Sequence, residues 1–387
     1  MDVDAKRPTH YRSMPAPSSH PDHAHENPRN DRELMVKFVA RGNAKIDPVR
    51  WLRQFPKRIP VWGRCRFSFD PDLRNYDWLV AYDDLPTGTS ETLTCPKGNT
   101  ILVTSEPSSV KIYGSSFLRQ FGIILTSQEP WVIRQPNAVH SQAGLKWFYG
   151  FGKHSIRDHD ELSAMEPLAK TKQVSTVCSS KQQRHTLHQQ RYNFVKWLGD
   201  RIPELDVFGH GIRFIDDKAE AMDPYRYHIA IENHVNEHHW TEKLADCYLG
   251  WCLPVYHGCP NAADYFPKDS FVAIDIREPQ AAEKTIRDLI RNDEYARRLG
   301  AIAEARHRIL NEYNLFAVIS RLIENHTQAP SPVGSVLHSR HSLRKSRMML
   351  PLLEIFWEKI RYRILARSKK NPRATDSNAA IQPKNHE

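Results

Sequence analysis

Tyr227-His228-Ile229-Ala230-Ile231, then Glu232-Asn233, then Thr241-Glu242-Lys243-Leu244, then Leu253-Pro254-Val255-Tyr256-His257-Gly258: this stretch decides the fold. Its first run is apolar without strict alternation, which suits a strand covered on both faces. Leu244, Tyr248 and Trp251 recur at four and three residues, the spacing of one helical face, so 241–251 is expected as a helix. Residues 253–256 read as the next strand, closed by His257-Gly258. Strand, helix and strand in that order mean neighbouring parallel strands with a helix packed over them.

The same rhythm extends outward. Upstream, 174–178 is expected as a buried strand stopped by Ser179-Ser180-Lys181. A helix over 191–198 follows, with Phe194, Trp197 and Leu198 on one face, then a strand over 205–209. Nearer the N-terminus, 35–39, 78–82 and 101–104 read as strands and 115–121 as a helix. A polar, charged linker near 150–172 divides the halves. The expectation is an α/β protein of two doubly wound, Rossmann-like domains facing a cleft, at 34–160 and 161–330. Residues 1–33, rich in Pro, Ser, Asn and His, read as a disordered N-terminal segment, and 331–387 as a basic amphipathic tail.

Charge follows this division. The 387 residues carry 55 Lys plus Arg against 45 Asp plus Glu, a net +10. Residues 334–387 hold 12 basic and 4 acidic side chains, so +8 of the excess lies in the tail and the body is nearly neutral. A nucleic-acid-binding core would carry its basic charge on the folded domain, so no nucleic-acid partner is expected. No apolar run is long enough for a membrane span and no signal-peptide core opens the chain. Six cysteines without a CxxC pair read as free thiols in a reducing cytoplasm.

In a parallel sheet, ligands bind beyond the carboxyl ends of the strands, beside helix N-termini. Three polar strand ends qualify: Ser105-Glu106, Ser179-Ser180-Lys181 and Glu232-Asn233. After Asn233 a polar loop leads into Thr241-Glu242-Lys243, where backbone N–H groups, the helix dipole and a lysine favour a phosphate. By spacing alone, Thr241 is an N-cap and Glu242 a first-turn carboxylate.

The whole run from Tyr225 to Ile276 shifts that reading. With Ile231-Glu232-Asn233, Trp240-Thr241-Glu242-Lys243-Leu244, Leu253-Pro254-Val255-Tyr256-His257-Gly258 and Tyr265-Phe266-Pro267-Lys268-Asp269-Ser270-Phe271, it resembles the donor-binding signature of the α-1,3/4-fucosyltransferases, glycosyltransferase family ten, in its bacterial form. The resemblance implies a GT-B architecture, with an N-terminal acceptor domain and a C-terminal domain holding GDP-fucose. It implies an inverting transfer of fucose by single displacement to a glycan hydroxyl, in an α-1,3-type linkage. Such chemistry needs a base for the acceptor hydroxyl and cations for the departing diphosphate.

The resemblance assigns roles residue by residue. Glu106, in Thr104-Ser105-Glu106-Pro107, is the base, with Glu129 the fallback. Arg191 and Lys243 are the diphosphate cations, and Arg184 is a second candidate for the former. Glu242 holds the fucose hydroxyls; Asn233, Ser179, His239 and Thr241 contact the donor; Glu232 braces the loop. Three places depart from the family pattern. His238-His239-Trp240 stands where many members carry Tyr, Ser179-Ser180-Lys181 replaces Ser-Asn, and His210 replaces Arg in Phe208-Gly209-His210-Gly211. These departures keep open another nucleotide-sugar donor in lipopolysaccharide or cell-surface glycan synthesis, or a non-catalytic glycan- or membrane-binding relative. Asp83-Asp84 and Asp216-Asp217 lack the setting of a metal-binding DxD pair, so no metal cofactor is expected.

In the tail, Leu352, Leu353, Ile355, Phe356, Trp357, Ile360, Ile364 and Leu365 are set among Lys359, Arg361, Arg363 and Arg367. A helix so built suits an anionic membrane surface through residues 346–370, beside an oligosaccharide or lipid-linked glycan acceptor. The competing placement docks it on the protein body. The expected location is cytoplasmic and peripherally membrane-associated.

Overall fold

The structure, a computed structural model, describes residues 32–41, 48–143, 146–180, 186–326, 333–345 and 349–370. The expected disordered segment and Arg184 lie outside them, apart from Arg32 and Glu33.

The first half builds one sheet. Its strands are β1 (Leu34–Ala40), β2 (Val61–Trp62), β3 (Cys65–Ser68), β4 (Trp78–Tyr82), β6 (Thr100–Val103), β7 (Ile123–Thr126) and β8 (Ala138–His140). They lie in the order β2-β3-β1-β4-β6-β7-β8, all parallel except the short β2 edge. β5 (Ser90–Thr92) stands apart from this sheet. Every residue of β4, β6 and β7 is buried, as two-sided coverage requires. The short helices α1 (Val49–Leu52) and α2 (Ser115–Leu118) belong to this half.

The second half follows α3 (His159–Ala164). β9 (Lys172–Val177), α4 (His188–Gly199), β10 (Leu205–Phe208), β11 (Tyr225–Ile231), α5 (Glu242–Leu249), β12 (Leu253–His257) and β13 (Val272–Ala273) form a parallel sheet in the order β10-β9-β11-β12-β13, with its helices. α6 (Pro279–Arg291), α7 (Glu294–Arg297) and α8 (Leu299–Asn311) complete its cover. Each half has its own apolar core. Two parallel α/β units with a cleft between them constitute the expected GT-B architecture.

The chain then returns to the first half. α9 (Leu315–Glu324) places Leu315, Phe316, Val318, Ile319 and Ile323 in the first sheet's core. Phe316 stacks on Phe55 with ring centroids 4.0 Å apart. Burying such a ring contributes about 1.5–3 kcal/mol, so α9 ties the halves together. Arg53, almost fully buried, does the same for the linker: its guanidinium donates to the carbonyls of Trp147, Tyr149, Gly150 and Arg157.

Beyond α9 the described elements lie on the first half. β14 (Val336–His338) pairs antiparallel with β5, and α10 (Arg340–Lys345) follows. α11 (Met349–Lys370) then lies on the body. Glu354 accepts from Ser116 and pairs with Arg119 at 2.7 Å, Arg361 donates to the carbonyls of Trp131 and Val132, and Tyr362 stacks on Trp131 at 5.5 Å. Of the two placements open for the tail, docking on the body accounts for this face of the helix.

Candidate active site

Beyond the carboxyl ends of β6 and β11 the halves enclose a cavity of about 350 Å³. Tyr82, Ser105, Glu106, Pro107 and Val110 of the first half line it, with Lys146 and Phe148 of the segment that joins the halves and Glu232, Asn233, His239, Thr241, Glu242 and Lys243 of the second half.

The second wall is organised by the start of α5. Thr241 caps the helix, its hydroxyl accepting from the Lys243 N–H at 3.3 Å. Glu232, fully buried at the end of β11, accepts from the Thr241 N–H at 2.8 Å and the Thr241 hydroxyl at 2.7 Å. Gly258 makes room for this brace, because a Cβ there would strike Glu232 and the Tyr256 hydroxyl. The Lys243 ammonium lies 3.0 Å from Glu242 and 3.5 Å from Glu232, between two acids. Burial pushes the Glu242 carboxyl up, but Lys243 and then Lys218 outweigh it and hold it at about 2. The wall therefore presents an ionised carboxylate and an ammonium side by side. Arg191, from α4, donates to the Asn233 side chain at 2.8 Å, and its Nε is buried without a partner among the described residues.

The first wall presents Glu106, three residues past β6. Its carboxylate has no hydrogen-bond partner among the described residues, although the loop beneath is fixed: the Gln128 amide donates to the carbonyls of Glu106 and Lys111 at 2.8 and 2.9 Å. Behind it Asp83, at φ 71°, pairs with Lys111 at 2.7 Å and accepts from the Tyr113 hydroxyl at 2.5 Å. Burial, and then the charges of Asp83 and Glu242, push the Glu106 carboxyl above its ordinary value against the pull of Lys111 and Lys243. A half-buried carboxylate without a partner and with raised basicity has the properties of a general base.

The cavity thus brings together Glu106, Glu242, Lys243, Thr241, Asn233 and His239, with Arg191 adjoining through Asn233. His239 is neutral, pushed down to about 3 by burial and then by His234 and Lys243, and its Nδ1 is bonded to Ser127 at 2.9 Å across the cleft. Ser179 lies beyond β9 beside Gly209, outside the described lining; a Cβ on Gly209 would strike the Cys178 carbonyl. Glu129, the fallback base, is bound to His234 at 3.1 Å and is not in the described lining. Sequence reasoning missed Tyr82, Lys146 and Phe148. The aromatic and basic cluster Lys146-Trp147-Phe148-Tyr149 at the close of the first half was the signal that could have found two of them.

This arrangement sets an unpaired carboxylate in one cavity with a carboxylate–ammonium pair, between two parallel α/β units. Residues 167–299 match the family model described as glycosyltransferase family 10 (fucosyltransferase), C-terminal part, which takes in all the second-wall residues named above. The resemblance to the fucosyltransferases of family ten therefore holds over residues 167–299. Over 169 residues the chain is 27% identical to the GDP-fucose protein O-fucosyltransferase 3 of Xenopus laevis, covering 40% of this chain and 36% of that one. Over 60 residues it is 32% identical to an alpha-(1,3)-fucosyltransferase of Helicobacter pylori, covering 16% and 13%. The chain thus spans little more than a third of the curated relatives' lengths at most. A solved alpha1,3-fucosyltransferase with GDP-fucose aligns over 81% of this chain and 96% of its own, at 15% identity and a TM-score of 0.45. At that distance it adds nothing to the fold, which the two sheets establish by themselves.

Proposed function

We propose that the chain transfers fucose from GDP-fucose to a hydroxyl of a glycan, inverting the anomeric centre. The observation that carries this reading is that Glu106 and the Glu242–Lys243 pair line one cavity from opposite walls. Glu106 takes the acceptor hydroxyl's proton, and the oxygen attacks the anomeric carbon from the face opposite the diphosphate. The bond to the diphosphate breaks, and GDP leaves with its electron pair against Arg191 and Lys243. Glu242 holds the fucose hydroxyls and steadies positive charge on the sugar, as a second carboxylate does in glycoside hydrolysis. Asn233, Thr241, His239 and Ser179 complete the donor contacts, and the cations take the diphosphate charge without a metal. The acceptor is a GlcNAc or glucose residue of an N-acetyllactosamine-like or lipopolysaccharide glycan, joined in an α-1,3-type linkage. Acceptor-dependent release of GDP across a glycan array, with EDTA present, tests this; release without any acceptor, or none at all, contradicts it. His210 in place of the family's arginine favours one second reading, a transferase of this fold using another nucleotide sugar.

The tail reading carries over as a proposal that 346–370 meets an anionic membrane from the cytoplasmic side. Among the described residues no helix is long and apolar enough to cross a membrane. With its other face docked, α11 exposes Leu353, Phe356, Trp357 and Ile364, and Lys359 and Arg363 stand exposed beside them. Aromatic residues in the headgroups and cations on anionic lipid suit that face. Replacing Phe356 and Trp357 together by serine should lower flotation with phosphatidylglycerol vesicles at least about tenfold, since each buried ring contributes about 1.5–3 kcal/mol. Flotation equal to the parent protein would sink the membrane reading.

A further inference from the structure

We propose that Phe148 is the platform on which the acceptor's pyranose ring stacks, with the Lys146 ammonium beside it as a hydrogen-bond donor; the proposal rests on the transferase reading above. Phe148 is a large apolar ring left 36% exposed in a cavity otherwise rich in charge. Its position is fixed from behind. The N–H groups of Phe148 and Tyr149 both donate to one oxygen of Asp246, at 3.0 and 3.1 Å. Asp246 is fully buried, and its other oxygen pairs with Lys218 at 2.6 Å. Asp246 lies one turn after Glu242 on α5, so the helix that sets the donor-side charges also sets the ring.

The ammonium groups of Lys218 and Lys146 lie near the ring, 5.2 and 5.5 Å from its centroid. Lys146 also faces Trp51 at 5.9 Å and forms no ion pair among the described residues, so its N–H donors remain for a ligand oxygen. An exposed aromatic ring with hydrogen-bond donors near it is how proteins bind the apolar face of a sugar while reading its hydroxyls. The ring lines the same cavity as Glu106, whose carboxylate must meet the acceptor hydroxyl, and this shared lining assigns the ring to the acceptor.

Phe148→Leu keeps the apolar bulk and removes the ring; Phe148→Trp keeps a ring. With N-acetyllactosamine as acceptor, the leucine variant should raise the acceptor KM about tenfold while the tryptophan variant stays within about threefold of the parent. The affinities for GDP and GDP-fucose should be unchanged in both, which also reports that the site has folded. A parent-like acceptor KM in the leucine variant overturns the platform while leaving the transferase intact. Selective loss of GDP-fucose affinity relative to GDP also overturns it, because the ring would then hold the donor sugar. If the parent protein shows no acceptor-dependent release of GDP, the transferase reading fails and the platform falls with it.

Discussion

Glu106→Gln should lower acceptor-dependent release of GDP by about 10²–10⁴-fold, the range a positioned general base contributes, while the affinity for GDP stays as in the parent. The amide keeps the shape of the side chain and its place beyond β6 but cannot take a proton. The loop that carries it is held by Gln128 through backbone carbonyls, so the substitution leaves the scaffold alone. The pH profile gives a second readout. Burial, and then Asp83, raise the carboxyl above the ordinary glutamate value of 4.5. The ionised base is therefore lost as pH falls through that raised value, and the acid limb of kcat/KM for the acceptor lies above 4.5. The limb should vanish in Glu106→Gln. Loss of GDP affinity together with activity would instead make Glu106 a structural residue.

Lys243→Ala should both weaken GDP binding and destabilise the fold. Its ammonium stands between Glu242 at 3.0 Å and the fully buried Glu232 at 3.5 Å. Removing one member of a buried ion pair costs about 3–5 kcal/mol; with the lysine side chain 22% exposed, the lower end is expected. The sign of the pH dependence follows from the carboxylates. Glu242, held at about 2 in the folded protein against an ordinary 4.5, contributes stability above pH 4.5 that is lost as pH falls toward 2. Without Lys243 that contribution goes, so thermal unfolding of variant and parent should differ most near neutral pH and converge in acid. The lost charge-assisted contact should weaken GDP about 10–100-fold. Equal unfolding midpoints at pH 7 and an unchanged GDP affinity would remove Lys243 from both roles.

The second half was largely legible because its signals are local. Leu253-Pro254-Val255-Tyr256 and the Leu244/Tyr248 spacing each decide one element, and Thr241 caps its helix as its side chain allows. In the first half, β4 and β6 announce themselves as buried apolar runs, and Ile123-Ile124-Leu125 of β7 carries the same signal although the expectations did not include it. The two-residue strands β2 and β13 and the three-residue β5 have no period to read. The return of α9 to the first sheet was not legible: Phe316 and Ile319 announce a buried helix but not which core receives it. For the same reason the tail's charge and apolar content left two placements open. In the site, Glu106, Glu242 and Lys243 stood at strand or helix ends where chemistry is sought. Phe148 and Lys146 lie in irregular chain, and Phe148 is tied to α5 by Asp246, a contact across 98 residues.

The proposed transfer requires a guanine nucleotide sugar to bind the wall formed by Arg191, Asn233, Glu242 and Lys243. Calorimetric titration of the full chain with GDP-fucose, GDP-mannose and a UDP-sugar, with EDTA present, tests this most directly. One site per chain is expected, with GDP-fucose bound in preference to the other two and binding weakened in Lys243→Ala but kept in Glu106→Gln. Preference for the UDP-sugar or GDP-mannose, or binding indifferent to Lys243, would contradict it.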